Sequence, residues 1–338
     1  MIQAAYYEGN HTIRHGPGKI IEPGPGEVQL KVSHCGICGT DLHIYHGAMD
    51  ARVSMPLVMG HEMSAAVQTV GPGVARFAAG DKVVVMPLAP CGNCPACAAG
   101  HSHICHDLNF LGIDTPGAFQ SYWTVPAYTL HKMPGHLSMA HGALIEPLAV
   151  AVHDVRLAGV KTGDQVVVLG GGPIGMLVAL VARQAGAQVL VSEVNPYRVE
   201  LARNLGLDTI NPGDEDLIKL VMQRTAGAGA DIVFEVSGSQ AGAAVMTELL
   251  RTRGLAVIVA IFAQRPAIDL FRFFWRELRL QGVRVYESED FAAAIELAAS
   301  DALPLDDLIT DIRPLSALKS GFEDMQTGGQ VMKILLEL

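Results

Sequence analysis

The sequence predicts an α/β protein with two domains: a β-rich, barrel-like domain and a doubly wound domain built on a parallel sheet. Three observations support this fold class. The 338 residues exceed the usual size of one hydrophobic core. Short β-rich segments fill the first part of the chain, and apolar strands alternate with helical stretches in the middle. We expect residues 1–150 and 290–338 to form the first domain and residues 151–289 to form the second.

The composition narrows the class of protein. Half of the residues are hydrophobic, 17% are charged and the formal net charge is −10. This negative charge, without a dense Lys/Arg cluster, argues against a nucleic acid partner. Glycines and a proline interrupt the most apolar stretch, residues 166–191, which argues against a membrane-spanning helix. No secretory signal pattern opens the chain, so we expect a cytoplasmic location and cysteines that are thiols or metal ligands.

The first domain is predicted to be all-β up to about residue 125. Strand-like segments such as residues 28–32 and 82–85 alternate with Gly/Pro turns such as residues 23–26 and 71–73. A helix-like run follows over residues 144–158.

The second domain is predicted from apolar strands at residues 165–169, 188–192, 232–236 and 255–261. Strands without a polar face must be covered on both sides, which fits a parallel sheet with helices on each face. After Phe291, an alanine-rich helix and a closing strand at about residues 331–336 are expected to return to the first domain.

Four cysteines lie in one short Gly/Pro-rich segment, at Cys91, Cys94, Cys97 and Cys105. Four thiolates complete the tetrahedral shell of Zn²⁺, so the spacing predicts a structural zinc lobe over about residues 90–106. An iron–sulfur cluster is a rival, but the long last interval and the lack of a proline after Cys105 disfavour it. A redox CxxC is disfavoured because the segment does not open a helix after a strand, and unrelated thiols remain an alternative.

A glycine fingerprint follows the strand at residues 165–169 and opens an apolar helix: Gly170, Gly171, Gly172, Pro173, Ile174 and Gly175. In this context the backbone amides at the helix N-terminus can approach a pyrophosphate. Glu193 ends the next strand, where a carboxylate accepts hydrogen bonds from ribose hydroxyls and repels a 2′-phosphate. The pattern therefore favours NAD, although an ordinary strand-end acid is the alternative for Glu193. Arg198 lies close by in the sequence and leaves NADP open.

The remaining candidate ligands are scattered through the first domain: Cys38, His61, Glu62 and Glu146. Catalytic zinc sites often have this pattern, because three protein ligands leave one position open for water or substrate. Spacing alone does not decide between a metal site and ordinary buried or surface residues.

Five motifs occur in one order over almost the whole chain: CGICGTDLH at 35–43, GHE at 60–62, the four cysteines at 91–105, IEPLAVAVH at 145–153 and VLGGGPIG at 168–175. Together they resemble the zinc-dependent medium-chain alcohol dehydrogenases, in the polyol (sorbitol) and threonine dehydrogenase branch. The resemblance implies a GroES-like catalytic domain, a Rossmann domain and two zinc ions per chain. It also implies that Cys38, His61 and Glu62 bind the catalytic zinc, with Glu146 a nearby carboxylate that can bind or release the metal.

A charge count limits the ligand set. The Cys38 thiolate and one carboxylate neutralise Zn²⁺, whereas Glu62 and Glu146 together would give a negative site that disfavours an alkoxide. We expect one carboxylate to bind at a time. The resemblance assigns the proton route to the Thr40 hydroxyl, with His43 as its outer member.

The ligand set implies hydride transfer from a secondary alcohol of a small hydroxylated molecule, such as a polyol, sugar acid, diol or threonine, to NAD(P)⁺. Candidate pocket residues are Tyr45, Ile113, Phe119 and Arg284, and Arg284 would suit a carboxylate or a hydroxyl-rich chain. Two alternatives are a zinc-free enone or quinone reductase of the same architecture and a non-catalytic nucleotide-binding protein. The resemblance also implies a homodimer or homotetramer joined through the nucleotide domain.

Overall fold

The computed structural model describes residues 2–338, which divide into two compact units. The first unit contains the described residues up to Glu146 together with Glu287–Leu338, and the second unit is Pro147–Tyr286. Helix Ile145–Ala158 contains the boundary between them. Among residues 2–338, no helix is both long enough and apolar enough to cross a membrane.

Strands are numbered along the chain: β1 (Gln3–Tyr7), β2 (Ile13–Pro17), β3 (Glu27–Gly36), β4 (Glu62–Val70), β5 (Lys82–Val85), β6 (Leu88–Ala89), β7 (Asn109–Phe110), β8 (Tyr122–Pro126), β9 (Leu130–Lys132), β10 (Gln165–Leu169), β11 (Gln188–Ser192), β12 (Asp208–Ile210), β13 (Ala230–Glu235), β14 (Leu250–Ile258), β15 (Arg279–Gly282), β16 (Ile309–Pro314) and β17 (Lys333–Glu337).

The α-helices are α1 (Gly39–Tyr45), α2 (Pro95–Ala98), α3 (Met139–Gly142), α4 (Ile145–Ala158), α5 (Pro173–Gln184), α6 (Pro196–Asn204), α7 (Leu217–Arg224), α8 (Gln240–Leu249), α9 (Leu270–Arg276), α10 (Ser288–Ala299), α11 (Leu305–Leu308) and α12 (Leu318–Thr327). Short 3₁₀ helices cover Ser102–Ile104, Ala127–Thr129 and Leu315–Ala317.

The main sheet of the first unit has the strand order β16-β17-β3-β4-β5-β9, and β8 pairs with β3. Strand β17 comes from the end of the chain and pairs antiparallel with the end of β3. Strand β4 lies on the other side of β3, with Glu62 opposite Gly36. The end of β3 and the starts of β4 and β17 therefore meet at one place in the sheet.

The second unit contains a six-stranded sheet with the order β12-β11-β10-β13-β14-β15, in which every pairing is parallel. Four of the five residues of β10 are buried, as expected for a strand covered on both faces. The doubly wound fold class is confirmed.

Two strands of this sheet were not predicted. Strands β12 and β15 are the outermost strands, and β15 (Arg279–Gly282) is largely exposed. Edge strands of three or four residues with polar side chains lack the apolar run that marks the central strands. Strand β14 also begins earlier than predicted, at Leu250 instead of residue 255.

Candidate metal centres and dinucleotide site

The first candidate metal centre lies where β3, α1 and β4 meet. Ligand atoms of Cys38, His61 and Glu62 all lie within 4.8 Å of one another. Cys38 is the N-cap of α1, and its sulfur accepts the backbone N–H of Thr40 at 3.4 Å. His61 and Glu62 are almost fully buried at the start of β4. A thiol, an imidazole and a carboxylate are a ligand set that suits zinc and leaves a fourth position open.

Asp41 lies behind His61 and was not predicted as a site residue. Its carboxylate is fully buried, accepts the Cys38 N–H at 2.9 Å and approaches Nδ1 of His61 at 3.6 Å. Burial raises the pKa of Asp41 to about 6. Burial alone would lower the pKa of His61, but Asp41 and Cys38 overcome it and raise that pKa to about 10. The acidic surroundings thus favour a positive charge here, which a metal cation also provides.

The arrangement of Asp41 and His61 indicates whether a metal fits this site. Among residues 2–338, Oδ1 of Asp41 and Nδ1 of His61 are buried atoms without a hydrogen-bond partner. A carboxylate beside the second nitrogen of a metal-binding imidazole orients the ring and raises its basicity. The arrangement therefore fits His61 as a metal ligand supported by Asp41.

Lys333 is a second residue that was not predicted. Its side chain is 4% exposed, and its ammonium donates to the carbonyl of Ile37 at 3.1 Å and contacts Oε2 of Glu62. Burial lowers the pKa of Lys333, but Glu62 and Cys38 outweigh this effect and raise it. The charge count made from the sequence did not include this ammonium. Its positive charge compensates for the negative charge of a second carboxylate near the candidate metal site.

Glu146 is that second carboxylate. It is buried in the first turn of α4 and interacts electrostatically with both His61 and Lys333. Its role as an alternative ligand stays a prediction.

Thr40 and His43 lie three residues apart on α1, so they share one face of the helix. Thr40 is half-buried and His43 is exposed. Tyr45 and Phe119 are buried instead: Tyr45 stacks on Phe322 with ring centroids 4.8 Å apart, and Phe119 is fully buried.

The two other predicted pocket residues lie in different surroundings. Ile113 is buried in the first unit, and Arg284 is exposed in the second unit. The predicted role of these four residues in a substrate pocket stays a prediction.

The four cysteines form the second candidate metal centre. Ligand atoms of Cys91, Cys94, Cys97 and Cys105 lie within 4.8 Å of one another. Sγ of Cys105 is 3.4 Å from Sγ of Cys91 and 3.8 Å from Sγ of Cys94. These distances exceed a disulfide bond, and tetrahedral Zn–S bonds of about 2.3 Å place sulfurs roughly 3.8 Å apart.

Backbone N–H groups point at these sulfurs. Cys94 accepts the N–H of Cys97 at 3.5 Å and of His106 at 3.4 Å, and these bonds lower the pKa of Cys94 to about 6. Cys105 accepts the N–H of Cys91 and of Asp107, each at 3.3 Å. N–H donors stabilise thiolates, the form that binds metal, so the lobe fits a structural zinc ion.

The glycine fingerprint lies between β10 and α5 in the second unit. Gly170 has φ +102°, and a Cβ on Gly175 would lie 1.8 Å from the carbonyl oxygen of Gly170. Any larger residue at 175 would therefore open the loop. A cavity of about 740 Å³ borders this loop and includes Gly170, Gly172, Glu193 and Arg198 in its wall. Its volume suits a large part of a dinucleotide.

Glu193 connects the loop to the start of α6. Its Oε2 accepts the N–H of Gly171 at 2.7 Å, and its Oε1 accepts the N–H groups of Val194 and Asn195, each at 2.7 Å. Nη1 of Arg198 would lie 3.6 Å from a Cβ on Gly172, so the guanidinium is next to the loop. Carboxylate and guanidinium thus both border the cavity.

Comparisons with known proteins agree with this geometry. Residues 24–135 match the model of the alcohol dehydrogenase GroES-like domain, and residues 173–300 match that of zinc-binding dehydrogenases. A 2-dehydro-3-deoxy-L-galactonate 5-dehydrogenase from Pseudoalteromonas atlantica is 53% identical over 99% of this chain and 98% of the relative. The chain belongs to the zinc-binding alcohol dehydrogenases.

Two further proteins are similar to this chain over almost its whole length. An L-threonine 3-dehydrogenase from Pyrococcus horikoshii is 36% identical over 94% of this chain and 93% of the relative. A structure from Sinorhizobium meliloti 1021, described as a zinc-binding dehydrogenase bound to NADP, is 32% identical, covers 100% of this chain and 99% of its own, and has a TM-score of 0.93. The predicted family, enzyme class, GroES-like and Rossmann folds, and cofactor types are confirmed.

Proposed function

We propose that this dehydrogenase oxidises a secondary hydroxyl of a small sugar acid, with C5 of a 3-deoxy-2-keto sugar acid as the first candidate position. The observation that carries the chemistry is the convergence of Cys38, His61 and Glu62. The sugar acid is favoured because the relative at 53% identity is named for such a substrate, whereas the threonine dehydrogenase is 36% identical.

Residues of this chain have separate proposed roles in metal binding and in proton transfer. Cys38, His61 and Glu62 would hold a zinc ion, which would supply Lewis acidity to the substrate hydroxyl. The cavity beside the glycine loop would hold NAD⁺, which would supply the hydride acceptor for oxidation of the alcohol to a ketone. Thr40 takes the hydroxyl proton and passes it to His43, whose exposed ring releases it to water.

NAD is the proposed cofactor. Glu193 places a buried carboxylate at the wall of the cavity, and Glu215 and Asp216 add two further acids to that wall. Negative charge there repels a 2′-phosphate, which opposes the attraction of Arg198. The Sinorhizobium meliloti structure is described as bound to NADP. A comparison of kcat/KM for NAD⁺ and NADP⁺ tests the preference, and we expect NAD⁺ to be favoured.

The substrate carboxylate is proposed to bind Arg284. Its guanidinium is exposed just after β15 and offers bidentate donors that match a carboxylate. A comparison of kcat/KM for 2-dehydro-3-deoxy-L-galactonate, neutral polyols, 2,3-butanediol and threonine tests the proposal. We expect the sugar acid to rank first and Arg284→Gln to raise its KM about tenfold. Arg203→Gln is the matched control, because Arg203 is an exposed arginine of the same unit at the end of α6. A preference for threonine or neutral polyols would contradict it.

A second copy of the chain is proposed to cover an apolar surface of the second unit. Helix α9 exposes Leu270, Phe271, Phe274 and Trp275, each at least 64% accessible. The neighbouring strand β15 is the last strand of its sheet and can pair with another edge. An isologous contact between two such surfaces would bury both features and give a homodimer.

Thiol ligands in the cysteine lobe fit a reducing, cytoplasmic location.

A further inference from the structure

Glu235 is a buried carboxylate for which the proposed mechanism has no role. It ends strand β13 in the second unit and is fully inaccessible to solvent. Burial raises its pKa, and hydrogen bonds from Ser237 and Gly238 lower it again in part. Burying a carboxylate costs free energy unless its oxygens accept hydrogen bonds, so the groups that Glu235 binds indicate its role.

The carboxylate binds the turn that follows its own strand. Oε1 accepts the hydroxyl of Ser237 and also its N–H at 3.2 Å, while Oε2 accepts the N–H of Gly238 at 3.1 Å. The Ser237 hydroxyl lies 2.9 Å from that of Ser239, which caps α8 by accepting the N–H of Gly242. One carboxylate therefore fixes the turn 237–239 and the start of α8.

This turn lies against the glycine loop. A Cβ on Gly170 would be 2.9 Å from both Cα and N of Ser237, so the two backbones are in direct contact. The N–H of Val236 donates to the carbonyl of Leu169 at 2.9 Å, immediately before the loop. Ser237 and Ser239 also border the cavity that contains Gly170 and Gly172. A shift of the turn would therefore move both the loop and the cavity wall.

We propose that Glu235 is a positioning residue for the dinucleotide: it holds Ser237 against Gly170 and thereby keeps the glycine loop in its binding conformation. The inference rests on the proposed function only in treating this cavity as the cofactor site. It concerns how tightly the cofactor binds and does not concern which alcohol is oxidised. Glu235 itself needs no contact with the cofactor.

The test compares cofactor affinity with stability in the full-length protein. Glu235→Gln keeps the size of the side chain but replaces one acceptor with an NH₂ group that faces N–H donors. We expect the Kd for NADH, measured by calorimetry, to rise about tenfold. Ser237→Ala removes the hydroxyl that Glu235 accepts, and a smaller rise of roughly threefold is expected. Urea unfolding of the same samples reports stability separately.

Asp231 provides a matched control on the same strand. It also accepts a backbone N–H, that of Gln165 at 2.8 Å, and pairs with Arg251, but it lies near the start of β13. Asp231→Asn should lower stability and leave the Kd for NADH unchanged.

Two results would overturn the inference: unchanged NADH affinity in folded Glu235→Gln, or an equal loss of affinity in Asp231→Asn. If Glu235→Gln does not fold, unchanged affinity in Ser237→Ala overturns it. A wild-type protein that binds no NADH would overturn the proposed function as well, so the two failures are distinguishable.

Discussion

The buried ammonium of Lys333 contacts the carboxylate of Glu62, although 271 residues separate them in the chain. Strand β17 brings the lysine to the end of β3, directly beside the start of β4. Strand β17 therefore contributes a buried cation to the candidate metal centre formed by Cys38, His61 and Glu62. Lys333 contacts Oε2 of Glu62, so a metal bound by Glu62 would have the other carboxylate oxygen available.

Replacing Lys333 should destabilise the apoprotein. In Lys333→Met the Glu62 carboxylate would remain buried without its counter-charge, so we expect a loss of about 3–5 kcal/mol in the free energy of unfolding. Bound zinc should recover part of this loss, because the metal replaces the missing positive charge. Urea unfolding with and without zinc measures both effects. If the double variant Lys333→Met/Glu62→Gln loses no more free energy of unfolding than Glu62→Gln alone, the pairing is supported. A loss equal to the sum of the two single-variant losses would count against it.

Replacing Asp41 should weaken zinc binding at the first metal centre. Asp41→Asn removes the negative charge beside His61, and the expected loss of zinc affinity is about 10- to 100-fold. Competition with a chromophoric chelator measures it. Asp50→Asn is the control, because Asp50 accepts the Tyr7 hydroxyl at 2.7 Å outside the metal group. Wild-type zinc affinity in Asp41→Asn would refute this role.

The cysteine lobe should hold its zinc independently of the first metal centre. Cys97→Ser is expected to reduce the metal content from two zinc ions per chain to one and to lower the Tm, because the lobe loses its closed sulfur shell. Elemental analysis of the purified protein gives the stoichiometry. Cys35→Ala should keep both ions, since Cys35 lies outside both thiol ligand groups. Two retained zinc ions in Cys97→Ser would show that the lobe is not a four-thiolate site.

The exposed aromatic surface of α9 should control assembly. Phe274→Asp is expected to shift the solution mass of the protein from a multiple of 35.9 kDa towards 35.9 kDa itself. Light scattering after size-exclusion chromatography measures the mass. Tyr128→Asp is the control, because Tyr128 is 60% exposed in the first unit. A wild-type protein that already runs at 35.9 kDa would contradict the proposed dimer.

Sequence reasoning predicted the residues whose chemistry is explicit in short motifs. The cysteine spacing and the strand before Gly170 predicted a metal lobe and a nucleotide loop because local chain geometry determines both. Lys333 and Asp41 could not be assigned in this way, since their roles depend on strand pairing and on burial behind His61. A signal was present for Lys333, which is a lone cation within the apolar run of the closing strand.

Short edge strands and residues outside the short motifs were harder to predict. The pocket role predicted for Tyr45 and Phe119 stays a prediction, and both side chains are buried in the first unit. An aromatic residue close in sequence to a ligand can point to either side of its element, and periodicity alone does not decide which. Strand β15 was missed because a short exposed edge strand carries no apolar pattern.

The most direct test of the central claim is NAD⁺ reduction with 2-dehydro-3-deoxy-L-galactonate by the wild-type protein and by Cys38→Ala. If Cys38, His61 and Glu62 hold a catalytic zinc ion, the wild type turns over and Cys38→Ala loses about 10³-fold or more in kcat/KM, because the Lewis acid supplies several kcal/mol. Elemental analysis should show one zinc ion remaining in the variant. Undiminished turnover in Cys38→Ala would contradict a catalytic zinc at this site.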